Sequence, residues 1–137
     1  MGRGGSDPAH IIRAAKKYGL KFQEFRPMSV AQLKKCIDEG KPVIIMIQAW
    51  PYYPNVNYKT DWDDGHWIVA IGYDKDGIYF EDPSLAAIRG FISNEDLELR
   101  WHDIEGNNKN KVEHYGLAIW KPGQKVPAYS SRARYIE

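Results

Sequence analysis

A single cysteine in 137 residues excludes an internal disulfide and any metal site built from several thiolates. Nor does one sign of charge prevail. Nineteen basic against eighteen acidic residues leave a net charge of +1, which gives no electrostatic reason to expect a nucleic acid as partner. No apolar run approaches the ~20 residues of a membrane span. The start, Met1-Gly2-Arg3-Gly4-Gly5, lacks the apolar core of a signal peptide, so the cytoplasm is the default expectation. No segment repeats at a fixed period and none is of low complexity. What the chain does have is aromatic surface: nine Tyr, five Trp and four Phe, 13% of its residues, more than disordered chains carry. The length suits one domain.

Punctuation residues divide the chain. Ser6 is placed to cap a first helix with Pro8 in its first turn, Ile11, Ile12, Ala15 and Tyr18 at helical spacing, and Gly19 as its stop. An extended segment follows from Leu20 to Arg26. Ser29 and Gln32 form a capping box for a second helix with Val30, Leu33, Cys36 and Ile37 on one face, ended by Gly40. Pro42 opens Val43-Ile44-Ile45-Met46-Ile47, a run suited to a strand buried on both faces. The stretch Gln48 to Asp64, with Pro51, Pro54 and three tyrosines, is a long loop of the kind that is often functional. Trp67 to Tyr73 and Ile78 to Phe80 read as strands joined at Asp74-Lys75-Asp76-Gly77. Ser93 and Asp96 cap a third helix, and Glu113 to Trp120 is a last strand. Helices early and strands later give an α+β fold, an antiparallel sheet packed with two or three helices. Residues 1–121 are expected to form the domain. Residues 122–137 begin with Pro122 and Gly123 and read as a linker and tail, or as a docking strand.

Histidines titrate near neutrality and are the natural place to look for chemistry. His10, His102 and His114 read as solvated or packed residues. His66 differs, because it opens an apolar strand at the end of the long loop, behind Gly65, which permits close approach of a partner. Asp82 closes the next strand. A carboxylate there would fix the imidazole tautomer and leave the other ring nitrogen as a base; a turn cap for Pro83-Ser84 is the plainer role. Register decides between them. A tight turn at Asp76-Gly77 separates the two residues, whereas a five-residue loop from Gly72 to Asp76 sets them opposite one another. Asp61, Asp63, Asp64 and His66 fit neither calcium-loop nor zinc-helix spacing, so no metal is expected. Asp103 to Asn110 reads as a solvated loop. Cys36 belongs to the apolar face of its helix and packs as a small hydrophobe. The aromatic residues Trp50, Tyr52, Tyr53 and Trp67 either bind a peptide or glycan or cover the sheet's own edge.

The blocks Asp64-Gly65-His66-Trp67-Ile68-Val69-Ala70-Ile71-Gly72-Tyr73-Asp74, Tyr79-Phe80-Glu81-Asp82-Pro83-Ser84, Gly90-Phe91-Ile92 and Arg100-Trp101-His102-Asp103 resemble the C-terminal half of a papain-like cysteine peptidase. The resemblance is to the bacteriocin-processing, double-glycine-leader type and extends from Gly4 to about Trp120, with Gly40 to Ile44 and Gln48-Ala49-Trp50 in support. It implies that His66 deprotonates a cysteine thiol, that Asp82 orients it, that Trp50, Tyr52, Tyr53 and Trp67 border a peptide cleft, and that no cofactor is needed. The family's Cys-Gly at a helix start and its oxyanion glutamine have no counterpart here. The chain therefore reads as a truncated half-domain, inactive alone. A peptide- or glycan-binding module without catalysis is the alternative. Loss of the preceding helices is expected to bare an apolar sheet face and to drive homodimerisation; a monomeric mass by light scattering at micromolar concentration counts against this.

Overall fold

The computed structural model of the chain describes residues 7–82, 89–106, 109–129 and 134–137. Its elements run α1 (Pro8–Lys17), β1 (Lys21–Phe25), α2 (Val30–Asp38), β2 (Val43–Gln48), β3 (Gly65–Tyr73), β4 (Gly77–Glu81), β5 (Gly90–Ser93), α3 (Asn94–Arg100), β6 (His102–Glu105), β7 (Asn110–Glu113), β8 (Gly116–Trp120) and β9 (Arg134–Tyr135). Seven strands form one sheet in the order β1-β8-β2-β3-β4-β5-β9, and β6 and β7 form a separate hairpin. Every pairing is antiparallel except β5 with β9. The α+β architecture with three helices is the one expected.

Local chemistry explains the helix ends. Pro8 occupies the start of α1, where a missing N–H costs nothing. The Ser29 hydroxyl accepts the Gln32 N–H at 3.0 Å, and the Gln32 side chain accepts the Ser29 N–H at 2.8 Å, closing the capping box of α2. Gly40 follows α2 at φ 75°, a conformation that favours glycine. Ser93 caps α3 through the Asp96 N–H at 3.2 Å. Ser6, the expected cap of α1, and Pro83-Ser84 lie outside the described residues.

The sheet is covered on both faces. On one, Val43, Ile45 and Ile47 of β2, Ile68 and Ala70 of β3, and Phe80 of β4 pack against Leu33, Cys36 and Ile37 of α2 and Leu97 of α3. On the other, Met46 and Leu117 meet Tyr115, with Ile11 and Ile12 of α1 and Val112 of β7 packed over them. Ile44, Trp67 and Ile119 on that face are half-buried beneath this cover. The expectation of a bare apolar face is corrected accordingly: among the described residues the exposed large hydrophobics are the adjacent Tyr52 and Tyr53 and, on other elements, Tyr18, Leu99, Val126 and Tyr135, so the uncovered sheet face offered as the reason for a homodimer is not found there.

Two segments depart from the sequence reading. Of Asp103 to Asn110, read as a solvated loop, Asp103 to Glu105 lie in β6 and Asn110 in β7, with Asp103 paired to Val112 and buried; Asn107 and Asn108 lie outside the described residues. Strand β8 begins only at Gly116, because His114 at φ 52° breaks the extended run. Of the two readings of the tail, residues 134–137 take the docking strand: Arg134 and Tyr135 pair with Gly90 and Phe91, and Ile136 is fully buried. Ser130 to Ala133 lie outside the described residues.

Phe80 has no exposure and sits in the core cluster on the face that α2 and α3 cover. Phe80→Ala is expected to lower unfolding free energy by about 3–5 kcal/mol, read as a reduced urea midpoint at unchanged m-value.

Candidate functional site

The candidate site depends on how β3 meets β4. Tyr73 pairs with Ile78 and Gly72 with Tyr79, across a loop closed by the Asp74 N–H to Gly77 carbonyl bond at 3.0 Å. Both the Gly77 and Asp76 N–H groups also bond the Asp74 carboxylate, at 3.1 and 2.7 Å. Continued unchanged, this register would set Asp82 level with Val69, on the face away from His66. Between Ala70 and Gly72 the register slips, so Ala70 pairs with Phe80 and Val69 with Glu81. One step further, Asp82 is level with Ile68, two residues from His66 and on its face. Neither loop considered from the sequence is the one formed; a four-residue connection followed by a bulge at Ile71 brings the residues together.

The outcome is a hydrogen bond of 2.7 Å between His66 Nε2 and Asp82 Oδ1. The Asp82 side chain has no exposure and that of His66 has 20%. A carboxylate only accepts, so Nε2 is the donor, and in the neutral ring Nδ1 holds the lone pair. The second Asp82 oxygen, Oδ2, accepts the Trp50 indole N–H at 3.3 Å. Trp50 thus faces inward onto the pair. Tyr52 and Tyr53 are exposed (87% and 71%) and lie edge to face at 5.0 Å. Trp67 is the neighbour of His66 in a strand whose side chains alternate, and projects from the opposite face to meet the Tyr115 ring edge-on at 6.2 Å. The structure therefore gathers His66, Asp82 and Trp50, leaves Tyr52 and Tyr53 in solvent, and removes Trp67 from the cleft; that assignment is corrected.

The long loop is anchored from below. The Gln48 side chain donates to the His102 carbonyl at 3.0 Å and to Asp103 Oδ1 at 3.3 Å, and accepts the Asp64 N–H at 2.6 Å. His102 Nε2 donates to the Asp61 carbonyl, and its ring lies against Trp62 at 4.2 Å, tilted by 38°. Arg100, 1% exposed, donates Nε to the Gln48 carbonyl at 2.9 Å and lies 4.2 Å over the Tyr58 ring. His114 stacks on Trp101 at 4.4 Å and donates Nδ1 to the Met28 carbonyl at 2.9 Å, a packing role as expected. Cys36 is buried on α2, and burial pushes its thiol up.

Asp103 was not singled out from the sequence as a site residue. Its carboxylate lies against Gly65 Cα so closely that no Cβ fits there, which gives the glycine before His66 its reason. Burial pushes Asp103 up to about 6, against stabilising bonds from the Ile104 N–H and Gln48. Asp64 is also pushed up to about 6, first by its hydrogen bond with the Asp61 carboxyl and then by burial. No group of three or more His, Cys, Asp and Glu side chains is disposed to hold a metal ion among the described residues.

Comparison with known proteins follows from this geometry. A model of the Peptidase_C39 like family matches residues 2–109. A candidate C39-like peptidase from Bacillus anthracis has a similar solved structure, with a TM-score of 0.60 and 22% identity over 88% of this chain. The alignment spans 62% of that protein's length. No curated protein matches. No helix among the described residues is long and apolar enough to cross a membrane.

The raised carboxyls set a pH dependence. Asp64 and Asp103 are protonated in the folded chain up to about pH 6 but ionise near pH 4 when unfolded. Stability is therefore greatest below about pH 4 for these two groups and falls as pH rises through 6. Asp103→Asn keeps the Oδ1 acceptor and removes the buried charge, so above pH 7 it should stabilise the fold by roughly 1–3 kcal/mol. Urea unfolding of both proteins between pH 4 and pH 8 checks the convergence at low pH.

Proposed function

Because the chain belongs to the Peptidase_C39 like family, we propose that it is a cysteine-peptidase-like domain in which His66 is the base and Asp82 its orienting carboxylate. The observation that carries this reading is the 2.7 Å bond from His66 Nε2 to a fully buried Asp82 side chain. It commits Nε2 to donation and leaves Nδ1, on a partly exposed ring, to take a proton from a thiol. The thiolate attacks a peptide carbonyl, the imidazolium protonates the leaving amine, and water attacks the resulting thioester with Nδ1 again as base. Asp82 stabilises the imidazolium throughout. This chemistry needs no cofactor.

The thiol is not supplied by Cys36, which is buried among Leu33, Ile37 and Val43. The 137 residues alone are therefore inactive in this proposal. The purified chain should hydrolyse no peptide above the buffer rate, and His66→Ala should leave that rate unchanged. Hydrolysis that disappears in His66→Ala would overturn this. An in-frame Cys-Gly at a helix start in the coding DNA upstream of Met1 is the corresponding expectation for an active longer form.

One observation favours a second reading. Tyr52 and Tyr53 expose their rings side by side at the mouth of the long loop, as a platform for a peptide or glycan does. In the peptidase reading they contact substrate residues beside His66. In a purely binding module the double substitution Tyr52→Ala, Tyr53→Ala abolishes ligand binding, whereas His66→Ala leaves it unchanged.

A further inference from the structure

We infer that residues 126–129 and 134–137, beyond the part of the chain that matches the family, are a positioning element for the His66–Asp82 pair. The contacts of this segment fall on the two features that put Asp82 where it is. Its significance for catalysis rests on the peptidase-like reading; the geometry does not.

The first feature is the bulge. A bulged residue is left without a partner in its ladder, and here the Ile71 carbonyl accepts the Tyr129 N–H at 2.9 Å. Gly72, next to it, lies against the Tyr129 carbonyl with no room for a Cβ. The Tyr129 ring meets Tyr79, the partner of Gly72 across the hairpin, at 5.8 Å. Upstream, the Val126 N–H bonds the Gly40 carbonyl at 2.9 Å. Residues 126–129 thus hold the one irregularity that turns Asp82 toward His66.

The second feature is the donor on the far side of Asp82. Trp50 stands at φ 54°, a conformation that a bulky residue keeps only when its surroundings fix it. Its N–H donates to the Glu137 backbone oxygen at 2.9 Å, and its indole N–H to Asp82 Oδ2 at 3.3 Å. Ile136 is fully buried, its N–H bonds the Phe91 carbonyl at 3.0 Å, and its carbonyl accepts Arg100 Nη1 at 2.8 Å. The same guanidinium holds the Gln48 carbonyl, two residues before Trp50. A continuous path therefore runs from the buried tail through Trp50 and Asp82 to His66.

The test is nitrogen-15 NMR on the full 137-residue chain, reading solvent exchange of the Trp50 indole proton and the tautomer of His66 from its ring-nitrogen shifts. Ile136→Ala, and a chain ending at Tyr129, should each speed indole exchange by about tenfold or more, as the loss of one ordinary hydrogen bond does. Both should also mix the His66 tautomers, and Trp50→Phe should reproduce that mixing with the tail intact. Arg134→Ala, whose side chain is exposed, should change neither readout. Unchanged exchange and tautomer in a folded shortened chain would overturn the proposal. If that chain does not fold, Ile136→Ala decides by the same criteria. Neither readout requires peptide hydrolysis, so an inactive protein leaves the inference standing. An intact chain without a dominant Nε2–H tautomer would sink the peptidase reading instead, with indole exchange still reporting on the tail.

Discussion

One slipped pairing governs this molecule. Strand side chains alternate, so a one-residue shift sends every following side chain to the other face. The β3–β4 hairpin leaves its turn in a register that would separate His66 from Asp82, and the bulge at Ile71 restores the parity that joins them. A bulge is unfavourable by itself, because it leaves ladder groups unpaired. It persists because the Tyr129 N–H occupies the Ile71 carbonyl and because glycine at 72 admits a second backbone at close range. The chemistry of one face of the sheet thus depends on a contact made by a segment far along the chain.

Around that pairing, buried charge is arranged with few loose ends. Asp82 has His66 on one oxygen and the Trp50 indole on the other. Arg100 ties together the end of β2, the Asp96 carboxylate of α3 and the Ile136 carbonyl. A buried ion stripped of one partner is expensive, so these side chains constrain one another's positions. Asp103 is the exception: burial works against its charge, and its place against Gly65 brings a second carboxyl close to the strand that carries His66.

Much of this was legible in the residues. The capping box of Ser29 and Gln32, the stop at Gly40 and the doubly buried run of β2 are local signals, and local physics realised them. The His66–Asp82 spacing was legible too, though its meaning depended on register. The bulge was not, because Ile71 is an apolar residue in an apolar strand and nothing nearby marks it as extra. The β6–β7 hairpin was obscured by its polar composition; Ile104 and Val112 are its only aliphatic residues, and its tertiary contacts include Val112 on the Met46–Tyr115–Leu117 cluster and His102 with Asp61 and Trp62 of the long loop. Trp67 misled for the opposite reason, since adjacency in sequence to His66 places it on the opposite face. Arg100 carried no warning of its burial, because an arginine at a helix end ordinarily reads as solvated.

The strand order has a further consequence, for synthesis. Among the described residues strand β1 pairs with β8 alone, Lys21 with Trp120, and β9 lies at the opposite edge, joined to β5 from far along the chain. A chain emerging from the ribosome carries β1 as an unpaired ribbon until β8 appears, and loops that long close slowly. The hairpin bearing His66 and Asp82 can form early, but the partners of its bulge and of the Trp50 backbone, Tyr129 and Glu137, emerge much later. The local hairpin is thus cheap to close, whereas the contacts that organise its histidine close long loops and carry the larger entropy cost.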